Sequence, residues 1–152
     1  MNPQQELMRA FRDAQKYTEV PKLDHGQRLK WNQALEEILR RIAPDQTLLV
    51  VPQGLMLNYL ARRVNPTPYG VFDPVEFAIY GEDRVLVSLK THMPDYVVLA
   101  HVDLREQGAR FFGRDYGQQI SAWIHAQYRE ETLFGSPPLQ DDQFGLLLLK
   151  RK

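Results

Sequence analysis

The sequence predicts a three-layer α/β/α sandwich built on a small, mostly parallel sheet, with a C-terminal strand pair able to run antiparallel. Two stretches carry most of this: TLLVV (47–51) and YVVLAHV (96–102) are continuous β-rich apolar runs without alternation, as expected of strands covered on both faces. Around them apolar residues recur with helical period, and the order strand, helix, strand, helix, strand requires crossovers that cover the sheet on either side. A length of 152 residues suits a single domain with one respectable core.

The elements follow in order. Leu7, Phe11 and Ala14 stand at i, i+4 and i+7, predicting a short amphipathic helix over residues 4–17 that ends before Val20-Pro21. Residues 1–26 are read as a helical extension or linker, and 27–152 as the α/β domain. Trp31, Leu35, Ile38, Leu39 and Ile42 predict a helix from about Gln27 to Ile42, stopped by Ala43-Pro44-Asp45. The first strand is Thr47–Val51, and a second helix runs from about Gly54 to Arg62. A Pro-rich loop follows, with room for a short edge strand around Tyr69 to Phe72. From Pro74 to His92 the pattern is helical, with Asp73 as N-cap, Pro74 in the first position, Glu76 at the capping-box position and Gly81 dividing the segment. After the Tyr96–Val102 strand, a polar loop leads to a helix marked by Tyr116, Ile120, Trp123 and Ile124 that ends near Tyr128. Glu131–Phe134 and Phe144–Leu149 are the last strands, separated by the turn Gly135-Ser-Pro-Pro.

Composition excludes several functions. Nineteen Lys and Arg balance nineteen Asp and Glu without local concentration, so no electrostatic footprint for nucleic acid exists. The chain has no cysteine, which removes disulfides, thiolate metal sites and Cys nucleophiles. His25, His92 and His125 are scattered, with no HExxH or paired-ligand spacing, and neither a metal nor a cofactor is expected. No export signal is read at MNPQQELMRAFRDAQ, and no run of about eighteen apolar residues occurs, so the chain is expected to be soluble as it stands.

In open α/β sheets ligands bind outside the carboxyl ends of the strands. If the first two strands are neighbours, Gln53, His101, Asp103, Arg114 and Asp115 edge one crevice. PQG before a helix offers backbone N–H groups to an anion, although one glycine without GxGxxG is equally a plain turn. His101 and Asp103, two apart at a strand end, share a face and could form an acid–base pair; the plain account is a hydrogen-bonded structural His and a turn-starting Asp. Arg62 and Arg63 complement the C-terminal end of their helix, while Asn58 and Arg62 share a face that continues into Asn65, Thr67 and Tyr69 on a loop stiffened by Pro66 and Pro68. Such rigid loops suit sugar hydroxyls or phosphate. In FFGRDYG, Asp115 is placed to cap the following helix, and Phe111 and Phe112 cannot both face inward on extended backbone, so one is expected to cover a loop or meet a partner.

The order of motifs adds a resemblance. PQGLMLNYLARRVNPTPY, FDPVEF with YGEDR, PDYVVLAHVD, FFGRDYG with WIHAQY, and FGLLLLKR resemble the soluble C-terminal region of bacterial membrane glycosyltransferases of the dolichyl-phosphate-mannose protein mannosyltransferase type, across about Leu29 to Arg151. In that family a bundle of membrane helices carries the catalytic carboxylate and uses a polyprenyl-phosphate sugar. The resemblance implies an accessory domain at the extracytoplasmic face of the bacterial inner membrane. Its partner would be the transmembrane domain of its own parent protein, with a lipid-linked sugar phosphate in reach. Asn58, Arg62, Arg63, Asn65, Tyr69, Arg114 and Tyr116 would be its contacts. Gln53 stands where the family's PEG has Glu, which leaves an amide able to bond a hydroxyl in place of a carboxylate. Two other readings stay open: a free-standing enzyme on a sugar or phosphate ester using His101, Asp103 and Asp115, and a purely structural module.

Overall fold

The computed structural model describes residues 23–152 with Asn2, Gln5 and Arg9, so the helix expected over 4–17 lies, apart from Gln5 and Arg9, outside the described residues. The elements are α1 (His25–Arg41), β1 (Leu48–Val51), α2 (Leu55–Ala61), α3 (Pro74–Tyr80), α4 (Glu82–Thr91), β2 (Tyr96–Ala100), a 3₁₀ turn at Arg105–Gln107, α5 (Gln118–Gln127), β3 (Tyr128–Gly135) and β4 (Gly145–Arg151).

Helix α1 starts two residues before the expected Gln27 because Asp24 and Gln27 form a reciprocal capping box. Asp24 accepts the Gln27 N–H at 2.8 Å, and the Gln27 side chain accepts the Asp24 N–H at 3.1 Å.

The sheet has four strands in the order β1-β2-β4-β3. β1 pairs parallel with β2, whereas β4 pairs antiparallel with both β2 and β3. The sheet is therefore mixed, with less parallel pairing than the sequence suggested. The cause lies in β4: the residues from Gly145 to Leu149 are buried throughout, so this strand needs neighbours and cover on every side and takes an inner position. β3, with Arg129 and Glu130 exposed, is left at the edge.

Both faces of the sheet are apolar. Leu49, Val51, Val97, Leu99, Leu147 and Leu149 pack with Val85 and Leu89 of α4 and Ile120 and Ile124 of α5. Leu48, Val50, Tyr96, Val98, Leu146 and Leu148 pack with Ala34, Leu35 and Ile38 of α1 and Leu57 and Leu60 of α2. The unbroken apolar runs are thus explained by two helical layers, and each fully buried Leu contributes on the order of 2 kcal/mol.

Gly81, at φ 81°, ends α3 and begins α4. Asp73 caps α3 by accepting the Glu76 N–H at 2.8 Å. The start of α5 is served differently from the sequence expectation: Gly117 occupies its N-cap, without a side-chain bond. Its first N–H groups are met from the neighbouring helix, where Glu82 Oε1 accepts from Gln119 at 2.9 Å and Ile120 at 3.1 Å. Asp115 is engaged elsewhere.

Candidate functional site

At the carboxyl end of β1 the chain passes through a cis Val51–Pro52 peptide to Gly54. Pro52 O accepts the Phe72 N–H at 2.8 Å, and Gln53 makes a single antiparallel bridge with Val71. The stretch expected as a short edge strand is this one bridge. The bridge ties the turn after β1 to the Pro-rich loop, and β1 and β2 run parallel, with Val51 opposite Leu99, so Gln53 and His101 leave neighbouring strand ends.

Helix α2 leads away from that end, which carries its C-terminal residues to the opposite end of the sheet. There the Asn58 amide donates to Leu48 O at 2.7 Å and to Arg63 O at 2.9 Å. Arg63, only 7% exposed, donates through Nε and Nη2 to Ile42 O at 3.1 and 2.7 Å and through Nη1 to Ala61 O at 2.7 Å. Its guanidinium thus braces the ends of α1 and α2, where carbonyls are otherwise unpaired and the helix dipoles favour a cation. Asn65 accepts from the N–H and hydroxyl of Thr67, both at 2.9 Å, and donates to Tyr69 O at 2.7 Å, so it shapes the Pro-rich loop. The Tyr69 ring meets Tyr80 edge-on at 5.5 Å. Arg62, the left-handed C-cap of α2 at φ 53°, is the exposed member of the set.

The carboxyl end of β2 gathers the remaining candidates. His101 Nδ1 accepts the Leu139 N–H at 3.0 Å, which places the ring proton of the neutral imidazole on Nε2. The ring lies 5.2 Å from Phe111 and 6.1 Å from Phe144, and burial holds its pKa below the ordinary histidine value against the opposing pull of Asp103, Asp141 and Asp142. No hydrogen bond joins His101 to Asp103 among the described residues, so the acid–base pair raised beside the plainer structural account is not made. Asp103 instead accepts from the N–H and Nε of Arg105, both at 3.0 Å, and from Nε and Nη2 of Arg110 at 3.1 and 2.9 Å. Arg105, then Arg110, holds its carboxyl far below the usual carboxylate range.

Arg110 also reaches Asp142 at 2.6 Å, and Arg114 donates to Gln140 O at 2.7 Å, so the 103–116 loop is tied to the β3–β4 connection. Both guanidiniums stand over the Phe111 ring, at 4.5 and 4.6 Å from its centre. Asp115 pairs with Arg114 at 3.1 Å and accepts the Phe111 N–H at 2.9 Å, which together lower its pKa. Tyr116 donates its hydroxyl to Phe72 O at 3.0 Å, bringing the FFGRDYG loop beside the Tyr69–Phe72 stretch, and burial raises its pKa.

Phe111 and Phe112 are both buried, contrary to the expectation that one faces outward. The backbone there is folded rather than extended: Phe111 O accepts from Arg114 and Asp115, and the Gly113 N–H bonds Tyr116 O at 2.6 Å with Gly113 at φ 86°.

Beside this network, between α5 and the β3–β4 connection, lies a cleft of about 470 Å³. Leu99, Leu133 and Leu147 supply apolar surface, and Ser121, His125 and Glu130 supply polar groups. Sequence reasoning weighed His125 only as a metal ligand and passed over Ser121 and Glu130. The i, i+4 spacing of Ser121 and His125 is visible in the chain, but their meeting with Glu130 depends on β3 following α5 without a loop. Among the described residues, no three His, Asp or Glu side chains are grouped to hold a metal ion.

Comparison with protein-family models, curated proteins and solved structures found no match to this chain. Among the described residues no helix is long and apolar enough to cross a membrane. The chemistry of the site therefore rests on its geometry, in which the three candidate acid–base groups are each held by protein partners and an adjacent cleft is open.

Proposed function

We propose that this chain is a binding and interaction domain, the extracytoplasmic accessory part of a membrane glycosyltransferase that uses a polyprenyl-phosphate sugar. The observation that carries this reading is the engagement of the three acid–base residues expected from the sequence: Asp103 by two guanidiniums, His101 Nδ1 by the Leu139 N–H, and Asp115 by Arg114 and the Phe111 N–H. A general base must have a lone pair open to the proton it takes, and these groups already accept from protein donors.

A surface suited to docking supports the same reading. Leu55 and Tyr59, one turn apart on α2, are exposed, as are Val75, Ile79 and Tyr80 on α3. α3 has no fully buried residue. Leu55 lies close against Gly70, and Tyr69 touches Tyr80, so the two helices' apolar residues belong to one neighbourhood. Exposed aromatic and aliphatic groups collected in this way mark contact surfaces. The resemblance across Leu29 to Arg151 supports the transmembrane part of a glycosyltransferase as the partner.

The test is sugar transfer in membranes carrying the full parent protein with Tyr59→Asp and Ile79→Asp introduced together. Activity should fall by about tenfold or more, as for loss of interface anchors, with the folded content of the purified chain unchanged. Wild-type transfer by the double variant, or turnover of sugar phosphates by the isolated chain, would count against the proposal.

A further inference from the structure

We infer that the cleft between α5 and the β3–β4 connection binds a neutral, hydroxyl-rich ligand, a saccharide unit of one or two rings. This rests on the reading of the chain as a binding domain and gives that domain a ligand class. The volume of about 470 Å³ falls in the range of small-molecule sites, roughly 300 to 1,000 Å³.

The chemistry of the lining selects the ligand. Ser121 and His125 lie one turn apart on α5, and each can both donate and accept hydrogen bonds. Glu130 on β3 is an acceptor only when ionised, with two oxygens able to take adjacent hydroxyls. Among the described residues none of these three side chains has a hydrogen bond or ion pair with the protein, whereas the neighbouring carboxylates of Asp103 and Asp115 are both engaged. Gly113 keeps the Ser121 hydroxyl clear, since a Cβ there would come within 2.6 Å of Oγ.

Charge argues against an anion. Arg114 in the cleft is already paired with Asp115 and bonded to Gln140 O, while Glu130 has no ion pair among the described residues. Phosphate or carboxylate would be repelled, and hydroxyls would find both donors and acceptors. The leucine surface from β2, β3 and β4 suits the C–H face of a sugar ring. The cleft's outer wall is fixed in place by two tethers, the Leu139 N–H on His101 and Arg114 on Gln140 O, so the site is formed before a ligand arrives.

The experiment is saturation-transfer NMR on the full chain with methyl glycosides of glucose, galactose, mannose and N-acetylglucosamine, alongside inorganic phosphate and methylamine. At least one glycoside should receive signal on its ring C–H protons, and Glu130→Gln or Ser121→Ala should weaken its binding by about tenfold. Glu36→Gln, on the exposed face of α1, should leave it unchanged, and amide spectra should report the same fold for all variants. The inference is overturned if no glycoside binds, if both cleft variants bind as the wild type does, or if phosphate or methylamine binds in preference. Absent glycoside binding together with reduced transfer by the α2–α3 docking variant removes the ligand and leaves the domain's proposed role intact. Glycoside binding with undiminished transfer supports the cleft and removes the docking surface.

Discussion

The Leu139 N–H is held by Nδ1 of His101 at 3.0 Å, and Leu139 itself sits at φ 63°, a left-handed conformation that costs a branched residue about 1 to 2 kcal/mol. The bond helps hold that conformation. Protonating Nδ1 would set one donor against another.

The first prediction concerns pH. Burial lowers the pKa of His101 in the folded chain from the ordinary value of 6.5, so the unfolded chain binds the proton more readily. The resulting stability is fully present above pH 6.5 and is lost as pH falls through the folded-state pKa. Asp103, Asp141 and Asp142 moderate the loss and Arg110 adds to it. Urea unfolding from pH 7.5 downwards should show a steeper decline for the wild type than for His101→Gln. Equal slopes would show that His101 is not the coupled group.

A second prediction concerns Asp103, whose side chain is 24% exposed and whose ion pairs are therefore partly screened. Asp103→Asn should cost about 1 kcal/mol at neutral pH and low salt, less in high salt, and should loosen the 104–110 loop. Because its folded-state pKa is depressed, the stabilisation is present above the ordinary carboxylate value of 3.8 and is lost as pH falls further. Amide exchange at Leu104 and Gln107, with unfolding measured at two salt concentrations, checks both statements.

Arg63 should be among the most sensitive polar positions. Arg63→Ala leaves Ile42 O and Ala61 O without their donors in a buried place and should cost roughly 2 to 4 kcal/mol. Arg63→Lys should recover only part, because one ammonium cannot reproduce the forked guanidinium. Arg62→Ala, at the exposed neighbour, should change stability by less than about 0.5 kcal/mol. Similar losses at both positions in chemical denaturation would overturn this division of roles.

The fourth prediction tests the cap that α4 supplies to α5. Glu82→Ala should destabilise the chain by about 1 kcal/mol, as for loss of an N-cap, and should speed hydrogen exchange at Gln119 and Ile120 above other amides of α5. Unchanged protection at those two amides would mean that the carboxylate is dispensable.

The strands were legible because their apolar runs leave few other placements, and Asp73 and Gly81 marked helix ends through local chemistry alone. Sheet order was not legible: the position of β4 follows from which strand most needs cover, a comparison across distant segments. Arg62 and Arg63 are chemically identical neighbours in the chain. The left-handed turn at Arg62 separates them, leaving one exposed and directing the other to a carbonyl 21 residues back along the chain. The burial of both Phe111 and Phe112 depends on a folded backbone that alternation rules do not describe. Glu82 caps a helix 37 residues away, and the Ser121, His125 and Glu130 cleft needs α5 and β3 in register. Sheet order, the Glu82 cap and the cleft are tertiary, so no window of sequence contains them, whereas the turns at Arg62 and Gly113 are local but lie outside simple periodicity.

The outer strand β3 has a further consequence. Its first half carries Arg129, Glu130 and Glu131, with Glu131 bonded to Arg129 at 2.8 Å and to Arg41 at 2.7 Å, and its pairing shifts register between Glu130 and Thr132. A strand arriving from another molecule would have to bury these charges and match an interrupted ladder, the features by which natural sheets resist edge-to-edge growth. Intermolecular strand addition is thereby discouraged along this margin of the sheet.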